Sequence, residues 1–440
     1  MNLERATLFG FQALVAKVNG NTRSNSEVKM YLKDTDIYAA QSNPYRRMAA
    51  SMYQTKNEND FFHLHGCLSP TATLNMIGLD GYRDDLTEHK DIHNAIQSRV
   101  HKFTATELEH LNQSVEHAGV MVYTHEKFKD SPHGRANIQQ PWWKCLRLPG
   151  SSPPTHFPVL GTRRILKGIR VLELTCIITD PVIGRILAEY GADVLRITSS
   201  SVPDVPFFQV NGNMGKCTVD IDLKTPDGRQ HFEELLSDAD VLIDGFRPGG
   251  IVYVDENCFG HEGEWCDRPG WQQIADCLTG FARSYGEFLG RSEPIVSPLP
   301  IADYGAGCMG AITASIGLYN RAQNGGSHHG KVSLMQFNLL LFAVAFFDLR
   351  YSDGVDRSSR LALEMLQEKF PWLFISRSIL GAEEHTETWY SHHFGADVEV
   401  VRPVVDIDGV ENTFRRASRP NGADLLDSWG NMFEERKEGM

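Results

Sequence analysis

The stretch that decides the fold is LKGIRVLELTCIITDPVIGRILAEYGADVLRI, residues 166–197. Its pattern predicts a short apolar strand over 169–174, a helix over 182–190 and a second strand over 193–197. Pro181 stands just before this helix and Gly191 just after it, the arrangement that helices favour. Strand, helix and strand within about thirty residues indicate a parallel crossover unit. This part of the chain is therefore predicted to be α/β.

The same pattern continues toward the C-terminus. A helix predicted over 226–237 leads to a strand over 241–243, and another strand is expected over 331–334. We therefore predict an α/β fold whose large domain, 151–440, contains a Rossmann-like, mostly parallel sheet.

A smaller α+β domain is predicted over residues 1–150. Residues 1–35 show no clear period and are predicted to be partly disordered. Thr106 is the expected N-cap of a helix in the segment 104–119. The segment 141–158, which contains two tryptophans and a Ser-Ser-Pro-Pro run, is interpreted as the linker between the domains.

Composition excludes several classes of protein. With 440 residues, 41% hydrophobic and 22% charged, the chain is long enough for two domains and ordinary for a globular protein. A net charge of −13 argues against binding to nucleic acid, because no basic run offsets a row of phosphates. The most apolar segment, 337–347, is too short to cross a membrane and is interpreted as a core helix.

No targeting signal is expected in this sequence. Its first residues lack the apolar run of a secretory signal, and the C-terminal Glu-Gly-Met is not a peroxisomal signal. Eight cysteines without a Cys-x-x-Cys motif indicate reduced thiols. A cytoplasmic protein is expected.

A glycine-rich segment after residue 300 allows two interpretations. Gly305, Gly307 and Gly310 match the G-x-G-x-x-G fingerprint of dinucleotide-binding proteins. That fingerprint also requires an acidic residue at the end of the next strand, and no Asp or Glu occurs between Tyr304 and Phe347. A nicotinamide-dependent dehydrogenase is therefore a minor alternative.

The second interpretation centres on Asp303, a single carboxylate between an apolar run and the glycines. Small residues allow a ligand to approach the backbone closely, and an ionised carboxylate held against a carbonyl carbon can act as a covalent nucleophile. The simpler alternative is that Asp303 caps the helix that follows. Local sequence favours the cap.

Other polar residues give weaker signals. His63 and His65 alternate on a predicted strand and share a face, yet no third ligand is near, so no metal site is expected. The pairs at 328–329 and 392–393 are expected to be solvated. Three cysteines near element ends are interpreted as packing residues rather than reactive thiols: Cys176, Cys258 and Cys308.

Five motifs occur in a specific order along the chain. They are L-x-G-x-R-V-L-E-L-T at 166–175, L-x-x-x-G-A-D-V at 187–194, N-x-G-K with D-L-K at 213–224, A-D-V-x-I-x-x-F-R-P-G at 239–249 and A-D-x-x-x-G at 302–307. Taken together, they resemble the family III coenzyme A transferases, and the longer variant around Trp271 resembles the fungal branch. The resemblance covers about residues 166–336.

This resemblance implies that Asp303 is the catalytic aspartate, which forms an aspartyl-acyl anhydride and then an aspartyl-CoA thioester. It implies an acyl-CoA and a carboxylic acid as substrates, a CoA thioester with no permanently bound cofactor, and a homodimer. The CoA contacts that it implies are Cys176, Ile177, Lys216, Cys217, Phe246, Arg247, Asn257, Cys258, Phe259 and Gly260.

Two departures from the family pattern define the alternatives. The racemase branch carries a catalytic histidine where this chain has Trp271, and an indole cannot exchange a proton near neutral pH. In addition, only residues 247–250 separate the strand expected to end at Phe246 from the next one, where the family has a crossover helix. Either the strands pair in another way, or the gene model lacks a segment here. The alternatives to a CoA transferase are a catalytically impaired CoA-binding member and a racemase-like isomerase, which Trp271 disfavours.

Overall fold

The structure is a computed structural model that describes residues 3–150, 152–158, 161–243, 251–351 and 384–433, with only the backbone of 3–4 and 345–351. The strands are β1 (Lys17–Val18), β2 (Ala50–Gln54), β3 (Phe61–His65), β4 (Val120–Met121), β5 (Lys144–Arg147), β6 (Arg170–Glu173), β7 (Asp193–Thr198), β8 (Cys217–Asp220), β9 (Val241–Ile243), β10 (Val252–Asn257), β11 (His328–Ser333), β12 (Thr386–Ser391) and β13 (Ala396–Val401).

The helices connect and cover these strands. They are α1 (Leu3–Phe9), α2 (Gln12–Val15), α3 (Pro44–Arg47), α4 (Thr71–Met76), α5 (His89–Val100), α6 (Ala105–Ser114), α7 (His125–Asp130), α8 (Pro132–Asn137), α9 (Thr179–Glu189), α10 (Phe208–Gly212), α11 (Pro226–Ser237), α12 (Gln272–Thr279), α13 (Phe281–Phe288), α14 (Ile301–Asn324), α15 (Leu334–Tyr351) and α16 (Trp429–Phe433), with a 3₁₀ helix over Ser26–Met30.

The main sheet has seven strands in the order β5-β11-β10-β9-β6-β7-β8. Its pairs are parallel except for β5, which runs antiparallel to β11. This confirms the predicted α/β fold with a mostly parallel sheet. The strand order reverses between β6 and β9, and the loops at the carboxyl ends of these strands are where ligands bind in such sheets.

The short connection between β9 and β10 joins two strands that pair directly and in parallel, Val241 beside Val252 and Ile243 beside Val254. The alternative that they pair in another way is therefore wrong. Eight residues, 244–251, link them. Parallel connections usually need a dozen or more residues. Because β9 has only three residues, the connection needs to run back only about 7 Å, from the end of β9 to the level of its start, before β10 begins.

Apolar side chains alternate between the two faces of the sheet. Val252 and Val254 contribute to the core under α9 and α14, whereas Ile251 and Tyr253 contribute to the core under α11 and α16. Period-two alternation with both faces covered is what a sheet flanked by helices requires.

The N-terminal region has its own antiparallel sheet, β2-β3-β4, packed against α4, α5 and α6. Thr104, not Thr106 as predicted, caps α6, and Glu107 completes a capping box. Within the segment predicted to be partly disordered, the structure has α1, α2 and β1, and β1 pairs with β13. Strand β5 lies within the predicted linker. The division into two domains stays a prediction.

One core cluster joins the N-terminal region to helix α12. Ala118, Val120 and Phe128 of the N-terminal region pack in the same buried cluster as Ile274 and Leu278 of α12. This packing brings the N-terminal region against the helices beside Asp303. In the described parts of the chain, no helix is long and apolar enough to cross a membrane.

Candidate active site

Asp303 lies in the first turn of α14, but its side chain does not cap the helix. Pro300 is the N-cap residue, and no side chain makes a capping hydrogen bond there. Oδ1 of Asp303 instead accepts a hydrogen bond of 2.9 Å from Oγ1 of Thr179, the first residue of α9. The interpretation of Asp303 as a helix cap is therefore wrong, and its carboxyl group joins two helices at the carboxyl edge of the sheet.

Gln272 of α12 orients the start of α14 from the side. Its Oε1 accepts hydrogen bonds from the backbone N–H of Ala302 at 3.0 Å and, more weakly, of Asp303 at 3.4 Å. Its Nε2 donates to the carbonyl oxygen of Leu299 at 2.6 Å. A buried amide thus satisfies N–H groups that the helix leaves without partners, and it fixes the backbone that carries Asp303.

Burial dominates the electrostatics of this carboxyl group. It raises the pKa of Asp303 to about 7, the hydrogen bond from Thr179 opposes the rise, and the charge of Asp276 adds to it. Burial likewise raises the pKa of Asp276 to about 7, while hydrogen bonds from Asn338 and Gln272 oppose that rise. Titratable groups with strongly shifted pKa values in a cleft are typical of functional sites.

The three glycines after Asp303 lie inside α14, not in a loop before it. A Cβ atom on Gly307 would come within 2.6 Å of the Val182 side chain, and one on Gly310 within 2.3 Å of Ile183. A Cβ atom on Gly305 would meet the Phe337 ring at 2.0 Å. These glycines therefore let α9 and α15 pack closely on α14. The dinucleotide interpretation is wrong, because that fingerprint forms a turn between a strand and a helix.

A cavity of about 340 Å³ contains Asp303. One wall, which we call the sheet-edge wall, comes from the loop after β6 and from the segments around α12 and α14. The other, the N-terminal wall, comes from residues before position 70. The lining residues used below are Ile177, Trp271, Gln272 and Asp303 on the sheet-edge wall, and Arg23, Arg47, His65 and Cys67 on the N-terminal wall.

Backbone strain occurs on both walls. Ile177 has a φ of 66° and Cys67 a φ of 50°, in the left-handed region that residues with a Cβ seldom adopt. The backbone N–H of Ile177 donates to Oδ1 of Asp204 at 3.0 Å, and Asp204 forms a buried ion pair with Arg196 at 3.0 Å. Such strain persists only where the surroundings impose it, and it concentrates at ligand sites.

Two predicted CoA contacts lie beneath the site rather than in it. Lys216 is fully buried, and its Nζ donates to Glu173 at 2.6 Å and to the Pro181 carbonyl at 2.7 Å. Cys217 is 1% exposed and contacts the carbonyl oxygen of Met432. In this conformation neither side chain is accessible to a ligand, and their assignment stays a prediction.

The remaining predicted contacts are distributed around the carboxyl edge. Ile177 lines the Asp303 cavity, whereas Cys176 lines a second cavity of about 260 Å³ beside the ends of β6, β7 and β8. Asn257 closes the turn after β10 through hydrogen bonds with Gly260. Cys258 and Phe259 are buried in the core. Phe246 and Arg247 lie outside the described residues.

The histidines divide into three cases. His63 and His65 share a face as predicted, with ring centroids 5.7 Å apart. Among the described residues, no cluster of three His, Cys, Asp or Glu side chains could hold a metal. The pair at 392–393 is exposed as expected. The expectation for His328 and His329 is wrong, because both lie in β11 and are 3% exposed.

His65 places an imidazole in the cavity, stacked on Trp271 at 5.8 Å. Its Nδ1 accepts a hydrogen bond of 3.1 Å from the Cys67 backbone N–H. Burial and the neighbouring His63 lower its pKa to about 3, and a hydrogen bond with Gln273 only partly opposes this. The ring is therefore neutral across the physiological range and a weak base.

Two of the three cysteines near element ends have raised pKa values, as expected for packing residues. Burial raises the pKa of Cys258 well above its usual range and that of Cys308 to about 11. Both are therefore thiols rather than reactive thiolates.

Sequence reasoning missed Thr179, Gln272, Arg23 and Arg47. The only signal was the Trp271-Gln272-Gln273 variant, which marked the right segment without indicating a role. The other three lie far from Asp303 in sequence, and only the fold brings them to one cavity.

Comparison with known proteins finds similarity to CoA-transferases. The CoA-transferase family III model matches residues 166–362. Over 472 residues, the chain is 30% identical to "Acetyl-coenzyme A transferase nodX" of Hypoxylon pulicicidum, covering 96% of this chain and 79% of that protein. It is also 30% identical to an "Acyl-CoA transferase" of Gibberella moniliformis, covering 96% and 80%.

More distant matches involve part of the chain. The "Succinate--glutarate CoA-transferase" of Agrobacterium fabrum is 26% identical over 213 residues, covering 40% of this chain and 53% of that protein. Among solved structures, a CAIB/BAIF family protein from Brucella suis aligns with 16% identity and a TM-score of 0.46, covering 59% of this chain and 96% of that one.

Proposed function

This chain belongs to CoA-transferase family III, and we propose that it transfers CoA from an acyl-CoA to a carboxylic acid through covalent intermediates on Asp303. The observation that carries the proposal is a carboxyl group held at the carboxyl edge of the sheet, facing a cavity and bonded through one oxygen to Thr179. Within the described residues, its second oxygen accepts no side-chain hydrogen bond and is available to attack a carbonyl carbon.

In the first half of the proposed reaction, the Asp303 carboxylate attacks the thioester carbonyl. The carbon–sulfur bond breaks, and CoA thiolate leaves an aspartyl-acyl anhydride. The thiolate then attacks the aspartyl carbonyl, which releases the donor acid as its carboxylate and leaves an aspartyl-CoA thioester.

In the second half, the acceptor carboxylate attacks that thioester and displaces CoA thiolate, forming a new anhydride. The thiolate attacks the acceptor carbonyl, which yields the new acyl-CoA and free Asp303. No net proton is consumed, so the reaction needs an ionised Asp303 but no general acid.

Hydroxylamine trapping tests the proposal. Incubation of the protein with acyl-CoA and hydroxylamine should convert Asp303 to a hydroxamate, identified by mass spectrometry of the peptide that contains it. Asp303→Asn provides the control and should show none. A hydroxamate on another carboxyl group, such as Asp276, would overturn the assignment.

The alternative is a family member that binds CoA without turnover, favoured by the eight-residue connection between β9 and β10. Binding of CoA with no hydroxamate and no transfer across a panel of acyl-CoA donors and acids would support this alternative.

We also propose a homodimer, on the family resemblance alone. Light scattering at micromolar concentration should give twice the chain mass of 49.4 kDa, and a monomer mass would contradict it.

A further inference from the structure

Two arginines of the N-terminal wall face the Asp303 cavity without a partner of opposite charge. Within the described residues, neither Arg23 nor Arg47 forms an ion pair or a side-chain hydrogen bond. The Arg23 guanidinium lies over the Phe208 ring, 5.3 Å from its centroid. The two are close enough that the charge of Arg47, together with burial, lowers the pKa of Arg23.

Three other arginines with little exposed side chain have carboxylate partners, whereas the buried Arg46 bonds to neutral oxygens. Arg196 pairs with Asp204 at 3.0 Å, Arg268 with Glu109 at 2.6 Å, and Arg321 with Asp240 at 2.6 Å. Two neighbouring guanidinium groups repel each other, and partial burial removes part of the hydration of Arg23, whereas Arg47 is exposed. An anion between them relieves both costs, and guanidinium groups bind carboxylates with paired hydrogen bonds.

The arginines line the N-terminal wall of the cavity and Asp303 lines the sheet-edge wall. A substrate that spans the cavity therefore places different groups on the two walls. The cavity of about 340 Å³ is at the small end of the range for ligand sites, roughly 300–1,000 Å³.

Resting on the proposed function, we propose that Arg23 and Arg47 bind a second carboxylate of the acid substrate, so that the protein acts on small dicarboxylic acids. One carboxyl group reacts at Asp303 while the other lies on the arginine pair.

Arginine labelling tests this without requiring turnover. Phenylglyoxal should modify Arg23 and Arg47 of the wild-type protein, as mapped by mass spectrometry, and succinate should protect both while butyrate does not. Arg83, a half-buried surface arginine paired with Asp85, is the internal control and should be labelled equally under all conditions. Protection by adenosine 3′,5′-bisphosphate instead of succinate would assign the pair to CoA phosphate and overturn the proposal, as would no protection by either.

Kinetics distinguish this inference from the proposed function. Arg23→Gln and Arg47→Gln should each lower kcat/KM for succinate by about 10- to 100-fold, the scale of a lost charged hydrogen bond. They should leave kcat/KM for butyrate and KM for the acyl-CoA unchanged, and Arg83→Gln should change neither. If no acid is a substrate but succinate still protects the arginines, the proposed function fails and the carboxylate site remains. Equal losses for succinate and butyrate would overturn the site.

Discussion

The two walls of the Asp303 cavity differ in how their polar groups are satisfied. On the sheet-edge wall, the polar groups bond to one another: Thr179 to Asp303, and Gln272 to the backbone of α14. On the N-terminal wall, Arg23 and Arg47 have no ion-pair or side-chain hydrogen-bond partner in the described parts of the chain. The first wall is therefore organised for chemistry before any ligand arrives, and the second is completed by a group that the chain does not supply.

The largest expected effect comes from removing the proposed nucleophile, Asp303, from the sheet-edge wall. Asp303→Asn should lower kcat for CoA transfer by on the order of 10⁴-fold or more, as loss of a covalent nucleophile does in other enzymes. Because the N-terminal wall is intact in this variant, succinate should still protect its arginines from phenylglyoxal. Activity near the wild-type level would show that the two walls are not divided between chemistry and binding.

A smaller effect is expected from Thr179. In the proposed mechanism Asp303 reacts in its ionised form. Because its pKa is about 7, the wild-type acylation rate should rise with pH through about 7 and level off above it. Thr179→Val removes a hydrogen bond that favours the ionised form, which should raise that pKa by about 1–2 units and slow acylation at pH 7 by about 5- to 50-fold.

Pre-steady-state acylation measured from pH 5 to 9 checks this expectation. The loss should disappear as the pH rises above the shifted pKa, and Thr179→Ser, which keeps the hydroxyl group, should resemble the wild type. A deficit that is the same at every pH would show that Thr179 acts through packing instead.

The rigidity of the sheet-edge wall can be tested at Gly307. A Cβ atom there would lie 2.8 Å from Cβ of Val182 and 2.9 Å from the carbonyl oxygen of Thr179. Gly307→Ala should therefore push α9 away from α14 and lower the free energy of unfolding by about 1–3 kcal/mol, as measured by urea denaturation. Gly430→Ala is the matched control, since no atom lies within 4 Å of its Cβ position, and it should not destabilise.

The smallest expected effect is exchange of a substrate's α-proton with inversion, which would require a base on the N-terminal wall. Inversion at the α-carbon of a 2-methylacyl-CoA needs a base on each face, and beside Asp303 the cavity offers Trp271 and His65. His65 has a pKa of about 3 and is a poor base at neutral pH. Deuterium should not enter with inversion in heavy water, as followed by NMR. Inversion that His65→Ala abolishes would show that the N-terminal wall takes part in chemistry.

Local patterns predicted most of the large sheet. Helix α11 has the predicted limits, and α9 begins three residues earlier than expected because Pro181 lies within its first turn rather than before it. Strand β11 begins at His328, three residues before the predicted start, since two histidines suggested a solvated loop. A buried histidine cannot be recognised locally, because its partners come from elsewhere in the chain.

The candidate site was predictable only in part. Asp303 stood out from its surroundings, yet local sequence favoured a helix cap, and only the resemblance to a family indicated a nucleophile. The glycines beside it suggested a phosphate-binding loop, because spacing alone does not distinguish glycines in a turn from glycines that allow two helices to pack closely. Lys216 matched a family motif, but its burial against Glu173 depends on the fold.

The sequence by itself determined the parallel α/β unit and the position of Asp303, because hydrophobic period, prolines and glycines act within a few residues of one another. Only the tertiary structure decided that Arg23, Arg47 and His65 line the cavity that contains Asp303. Those residues are more than two hundred positions away from it, and they reach it because a buried cluster joins the N-terminal region to α12. Contacts between distant segments come from the packing of whole elements, which no local pattern encodes.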